Sequence, residues 1–149
     1  MDIKLAFNGA NFDLSLESGD LATDSGLSTA CALSLFTDAL ADKEDLLPDN
    51  SDDRRGWWGD VHAEIPGDRL GSKLWLLRRE KSLPSVARRV ETYAAAALQW
   101  LIIDRVASRI LCTAIWITPQ ACSLQVDIYR ASGEQVSLKY SNIWEDYHV

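Results

Sequence analysis

Between Val86 and Tyr140 the spacing of apolar residues changes once, and that change restricts the fold more than any other feature. Val86, Val90, Tyr93, Ala97, Leu98 and Leu101 recur at three- and four-residue steps, the period of one helix face. This spacing predicts a long helix that opens at Ser82 and lasts to about Asp104. Pro84 is tolerated near its start because the first helical N–H groups need no internal partner. The four alanines Ala94 to Ala97 leave room for close approach by another element. Beyond this stripe the period falls to two. Ile110, Cys112, Ala114 and Trp116 share one face of an extended run, then Leu124, Val126 and Ile128, then Val136, Leu138 and Tyr140. Thr118-Pro119-Gln120 and Ala131-Ser132-Gly133-Glu134 are the turns between them. The expectation is a three-stranded antiparallel meander packed on one long helix.

The first half is read in the same way. Ile3, Leu5 and Phe7 alternate, as do Phe12, Leu14 and Leu16, with Asn8-Gly9 as the turn of a hairpin. Ser18-Gly19-Asp20 turns again, and Leu21 begins a short third extended piece. Asp24 or Ser25 is expected to cap a helix running to about Ala41, with Leu27, Ala30, Cys31, Leu35 and Ala39 on its apolar face. Residues 42–53 are acidic, contain Pro48-Asp49-Asn50 and predict a loop. Gly56-Trp57-Trp58-Gly59 follows as an extended piece, Pro66-Gly67-Asp68 as a turn, and Leu70 to Arg79 as helical. The architecture is therefore α+β, with residues 1–149 as one domain without linker or repeat.

Composition then narrows the function. A formal charge of −7 argues against a general nucleic-acid binder. The apolar stretch from about Tyr93 to Ile103 is too short to span a bilayer, and Met1-Asp2-Ile3-Lys4 does not open a secretory signal. Synthesis in the cytoplasm is expected. Cys31, Cys112 and Cys122 have no close spacing and are expected to be buried free thiols rather than a disulfide or metal framework. The charge is also uneven. Asp38, Asp42, Glu44, Asp45, Asp49, Asp52 and Asp53 face Lys43 alone, whereas residues 69–89 carry Arg69, Lys73, Arg78, Arg79, Lys81, Arg88 and Arg89. Such polarity suits contacts with partners of opposite sign, or else a solvated loop beside a solvated helix.

The densest grouping of unusual residues is Arg54-Arg55-Gly56-Trp57-Trp58-Gly59-Asp60 followed by Gly67-Asp68-Arg69-Leu70-Gly71-Ser72-Lys73-Leu74-Trp75. In an extended segment Trp57 and Trp58 would point to opposite sides, leaving one near the surface beside arginines, as at interface hot spots. The alternative is that both rings cover a small core with Arg54 or Arg55 stacked on one. Trp75, Trp100 and Trp116 sit on apolar stripes and are expected in the core; for Trp144 the choice between anchoring the terminus and binding a partner stays open. Catalytic signals are weak. His62-Ala63-Glu64 has no Cys-x-x-Cys to complete a zinc deaminase site, His148 is next to the last residue, and Gly67 to Lys73 does not match a phosphate loop. No cofactor or metal is expected.

Gly19-Asp20-Leu21-Ala22-Thr23-Asp24, Arg55-Gly56-Trp57-Trp58-Gly59-Asp60, Gly71-Ser72-Lys73-Leu74-Trp75-Leu76-Leu77 and Ala96-Ala97-Leu98-Gln99-Trp100-Leu101 resemble the phage Mu-type baseplate wedge family across nearly the whole chain. That resemblance implies a structural component of contractile tails, the counterpart of a short wedge protein sometimes labelled lysozyme-like. It implies larger wedge proteins, hub and sheath subunits as partners and several copies per particle, with neither nucleic acid nor membrane bound. It also implies assembly in the host cytoplasm and residence in the virion tail baseplate. The wider short-wedge group carries Glu-Pro-Arg after the long helix, where this chain has Ile103-Asp104-Arg105. The residues expected at partner contacts are Arg54, Arg55, Trp57, Trp58, Arg69, Lys73, Asp104 and Arg105. The enzymatic alternative is a glycoside hydrolase using Glu64 with Asp60 or Asp68, flanked by the tryptophans. A cytoplasmic adaptor of similar fold is the other alternative.

Overall fold

The computed structural model describes residues 26–48, 52–64 and 69–144 in full, and within residues 2–24 the backbone of six short strands. These are β1 (Asp2–Ile3), β2 (Leu5–Phe7), β3 (Phe12–Leu14), β4 (Leu16–Glu17), β5 (Asp20–Leu21) and β6 (Thr23–Asp24). The expected hairpin is present as the antiparallel pair β2–β3, with Leu5 opposite Leu14 and Phe7 opposite Phe12. Leu16 does not extend that hairpin: it pairs with Leu21 across β4–β5, and β1 pairs with β6. The expected turns at Asn8-Gly9, Ser18-Gly19 and Pro66-Gly67-Asp68 lie outside the described residues, as do Asp49, Asp68 and His148.

Helix α1 (Leu27–Phe36) starts with its apolar pattern but ends short of the expected limit at about Ala41. Its N-cap is Gly26, at φ 84°; the side chains of Asp24 and Ser25, expected to cap it, lie outside the described residues. It stops at Phe36 because tertiary main-chain bonds compete for the next residues. Ser72 N–H donates to the Thr37 carbonyl at 2.9 Å and Ala39 N–H to the Ser72 carbonyl at 3.0 Å, forming a short parallel bridge. The buried Ser72 hydroxyl also donates to the Leu35 carbonyl at 2.5 Å, satisfying one of the helix-end acceptors. Between Leu70 and Arg79 only Leu74–Leu77 is helical, as a 3-10 turn. All four of its side chains are buried, so no solvent-facing stripe exists for a longer amphipathic helix. Leu74 and Leu77 join the main core, while Trp75 and Leu76 pack with Ala41 in a smaller one.

The long helix is present but broken. Helix α2 (Pro84–Ala97) and helix α3 (Gln99–Ile103) meet at Leu98, where φ is −101° and ψ 3°. Leu98 N–H is shared between the Ala94 and Ala95 carbonyls, and both Leu98 and Leu101 are fully buried beyond the break. Helix α3 closes with Val106 N–H on the Leu101 carbonyl at 2.8 Å and Arg105 N–H on the Ile102 carbonyl at 3.1 Å. This crossed pair is the Schellman arrangement, with Arg105 in the left-handed position usually held by glycine.

Strands β7 (Arg109–Thr118), β8 (Ala121–Tyr129) and β9 (Gln135–Tyr140) form the antiparallel meander in the order β7-β8-β9. The register sets Cys112 opposite Val126 and Ala114 opposite Leu124, then Val126 opposite Leu138 and Ile128 opposite Val136, so the expected apolar faces coincide. Helix α2 lies against β7, and the Glu91 carboxylate accepts the Ala114 N–H at 3.0 Å. The core joins α1, α2, α3 and the inner sheet face through Leu35, Val90, Ala94, Leu101, Leu124 and Ile128. Leu111, Ile115 and Ile117 are exposed on the outer face of β7.

The three cysteines are free and buried. Burial pushes the Cys31 thiol up to about 12, with Cys112 adding to the shift. Cys112 and Cys122 rise to about 11, through burial first and then the negative charge of Glu91. Thiol titration with a disulfide reagent at pH 8 is therefore expected to run roughly two orders of magnitude slower in the native protein than in urea. Equal rates would show that the core opens freely.

Candidate functional site

The central motif does not form an extended piece. Trp58–His62 is a 3-10 turn entered from Trp57, with Asp60 N–H on the Trp57 carbonyl at 3.1 Å. The turn changes the geometry inferred for adjacent tryptophans. Instead of opposing one another across a strand, the two rings lie together, 5.5 Å apart between centroids and tilted by 44°. Trp57 is 39% exposed and Trp58 77% exposed. An indole that open to water is not core material, and aromatic pairs of this kind are what interfaces use.

The rings border a groove of about 620 Å³. Ala30, Leu33 and Ser34 of α1 line it together with Ala97 and Trp100 from the α2–α3 junction, and Arg69 and Asp104 are among its charged lining residues. The break at Leu98 thus matters to the site, because it sets where α3 carries Trp100 and Asp104. Trp100 keeps its ring in place by donating from Nε1 to the buried Ser34 hydroxyl at 3.0 Å. Asp60 Oδ1 accepts the Leu70 N–H at 2.9 Å and ties the tryptophan turn to the segment that carries Arg69.

Of the residues expected at contacts, Trp57, Trp58, Arg69 and Asp104 line this groove, whereas Arg105, in the exposed turn after α3, is not among its lining residues. Arg54, Arg55 and Lys73 are used differently. The Arg54 guanidinium donates to the main-chain carbonyls of Asp42 and, at 3.2 Å, Lys43. Arg55 pairs with Asp38 at 2.5 Å and lies 4.5 Å over the Trp75 ring. Lys73 pairs with Asp42 at 2.5 Å and Asp45 at 2.8 Å. Partial burial raises the Asp45 pKa, but hydrogen bonds from Lys73 and the Asp42 N–H outweigh it and hold the carboxyl below its usual range. The basic half of the motif thus fastens the acidic segment 38–45 beneath the tryptophan turn.

Trp75 is in the core, as expected, while Trp100 and Trp116 are half-buried. Trp144 packs on the core: its Nε1 donates to the Leu74 carbonyl at 3.1 Å and its ring stands 5.3 Å from Trp116. Among the groove residues that pattern reading missed are Ala30, Leu33, Ser34, Ala97 and Trp100. Nothing in their spacing separates them from ordinary helix positions. Of the possible hydrolytic carboxylates, Asp60 is occupied by Leu70 and Glu64 is exposed at the end of the turn.

Gly59 gives a test of the turn. A methyl group on it would collide with the Trp57 indole, yet its backbone needs no unusual dihedral. Because Trp57 borders solvent, the ring has somewhere to go. Gly59→Ala is expected to shift the tryptophan emission and near-ultraviolet dichroism while changing stability by no more than about 1 kcal/mol. An unchanged spectrum would mean that the ring does not lie over Gly59.

An α+β chain whose exposed Trp57–Trp58 pair borders a groove presents a surface of the kind that binding and assembly proteins use. The family described as Phage protein GP46 matches residues 27–135. The chain belongs to this family, which bears out the resemblance to Mu-type baseplate proteins. It is 45% identical over 100 residues to Baseplate protein gp46 of Escherichia phage Mu, a match covering 67% of each chain. It is 37% identical over 127 residues to Mu-like prophage FluMu protein gp46 of Haemophilus influenzae, covering 85% of this chain and 84% of the relative.

Proposed function

We propose that this protein is a structural, non-enzymatic component of a phage or prophage contractile-tail baseplate. In this role it joins larger wedge proteins around the hub, in several copies per particle, and helps to seat the first ring of sheath. It assembles in the host cytoplasm and stays in the virion baseplate. Family membership supports the baseplate role, and the observation that carries the binding mode is the Trp57–Trp58 pair. One ring is mostly in water, both border a groove, and the turn bearing them is braced by Asp60–Leu70. Covering such a pair on association removes apolar area from water at about 25 cal/mol per Å². The rigid frame limits the ordering cost of binding.

The test is co-expression with the products of adjacent reading frames, affinity purification and mass measurement of the complex. A defined multi-chain assembly with a larger neighbour is expected. Trp58→Ala should weaken that assembly by on the order of tenfold or more, the loss typical of a hot-spot aromatic. The variant should unfold with unchanged cooperativity, because the Trp58 side chain is exposed. Recovery of only a self-limiting 1:1 complex would favour the adaptor alternative, and cell-wall cleavage lost in Glu64→Gln would favour the hydrolase.

A further inference from the structure

The groove has two helical walls, and their spacing limits what can lie in it. Ala30, Leu33 and Ser34 stand at i, i+3 and i+4 in α1, and Ala97, Trp100 and Asp104 at i, i+3 and i+7 through the α2–α3 junction. Each set is one face of a helix. The Trp100–Ser34 hydrogen bond of 3.0 Å ties the two walls together. Ala30 and Ala97 are small, which lets a third helix come close between them. No lining residue belongs to a strand, and the Leu70 N–H is already on Asp60, so an extended segment finds no ladder to join. Apolar side chains continue past the lining: Val61, in the turn with Trp58, is 82% exposed, and Ile103, next to Asp104, 71%.

Among the described residues, no helix of this chain suits the groove of a second copy. The exposed positions of α2 are Pro84, Ser85, Arg88, Arg89, Thr92 and Ala96, without a large apolar side chain. Helix α1 has no exposed residue, and α3 exposes only Gln99 and Ile103. The charges of the groove describe the partner further. Arg69 and Asp104 are both exposed, and among the described residues neither side chain has an ion pair or a hydrogen bond. Arg54 and Arg55, in contrast, are spent within the chain. An acid and a base left open in one groove set the sign of what each meets. We propose that the groove seats an amphipathic helix of a different protein, apolar towards Trp57, Trp58 and Trp100, with a carboxylate against Arg69 and a cation against Asp104. The opposed charges favour one direction of that helix over the other. This inference rests on the assembly role proposed above.

Photo-crosslinking from both sides of the groove provides the test. The photoreactive residue p-benzoylphenylalanine replaces Val61 or Ile103, both exposed, in the purified multi-chain complex assembled from isotope-mixed copies of this chain. Mass spectrometry should map both links to one segment of another protein, at positions separated by three- or four-residue steps. Arg69→Glu should weaken the complex by about tenfold, and lysine in place of the acidic residue of the linked segment should restore it. Asp104→Lys should be rescued in the same way by an acid in place of the segment's base. Both variants should keep the native melting transition, because neither side chain is bonded to the described residues. Links at alternate residues, the mark of an extended segment, overturn the inference, and so do links to a second copy of this chain. A complex that forms with no link from either position, or that Arg69→Glu leaves unchanged, also overturns it while the baseplate role stands. Failure of any complex to form sinks both.

Discussion

Gly71→Ala is expected to lower the unfolding free energy by roughly 3 kcal/mol or more, a large share of a small domain's stability. Two effects combine. Gly71 has φ +112°, a conformation costly for any residue with a β-carbon. A methyl group there would also collide with the Thr37 carbonyl oxygen and lie 2.9 Å from Ala39 N. Those are backbone atoms of the parallel bridge, so nothing can rotate away. Gly133 separates the two contributions. Its φ is +89°, but a methyl group would meet nothing within 4 Å. Gly133→Ala should therefore cost only about 1 kcal/mol, the dihedral part alone. Urea unfolding followed by far-ultraviolet dichroism measures both, and equal losses would show that the close approach of residues 71 and 37 is not what holds the bridge.

Leu98→Ala is expected to cost about 2–5 kcal/mol, the range for emptying a fully buried leucine site. Leu98 has no exposed surface and occupies the junction where α2 stops and α3 begins. A cavity there loosens the helix that carries Trp100 and Asp104 into the groove. Thermal unfolding should show the loss, and Trp58→Ala should combine with it additively because that ring points to solvent. A loss below about 1 kcal/mol would mean that the junction relaxes to fill the gap.

The meander was legible because strands announce themselves by a period of two, and every expected pairing face reappears in the register, from Ile110 opposite Ile128 to Leu124 opposite Tyr140. The stripe of α2 was legible for the same reason at its own period. The break at Leu98 was not, since no glycine or proline marks it and leucine fits either side of such a joint. The tryptophan turn was misread as extended because Gly56 and Gly59 permit many conformations. Local pattern has no means of choosing among them.

Charge shows the same division. The run from Asp38 to Asp53 and the arginines on either side of the tryptophans are plain in the chain, and both suggested outward contacts. Only the fold reveals that Arg54, Arg55 and Lys73 turn inward to that run, while Arg69 and Asp104 line the groove.

By itself the sequence determined the α+β class, the meander, the apolar faces of both longer helices and the family motif. Each of these depends on residues near one another in the chain. Tertiary structure alone decided where α1 ends, how Trp57 and Trp58 share one side, and which cations are spent on internal pairs. Those outcomes hang on contacts such as Thr37 with Ser72 and Lys73 with Asp42, between residues more than thirty positions apart. No local periodicity encodes them, because the energy that selects them exists only once the segments have met.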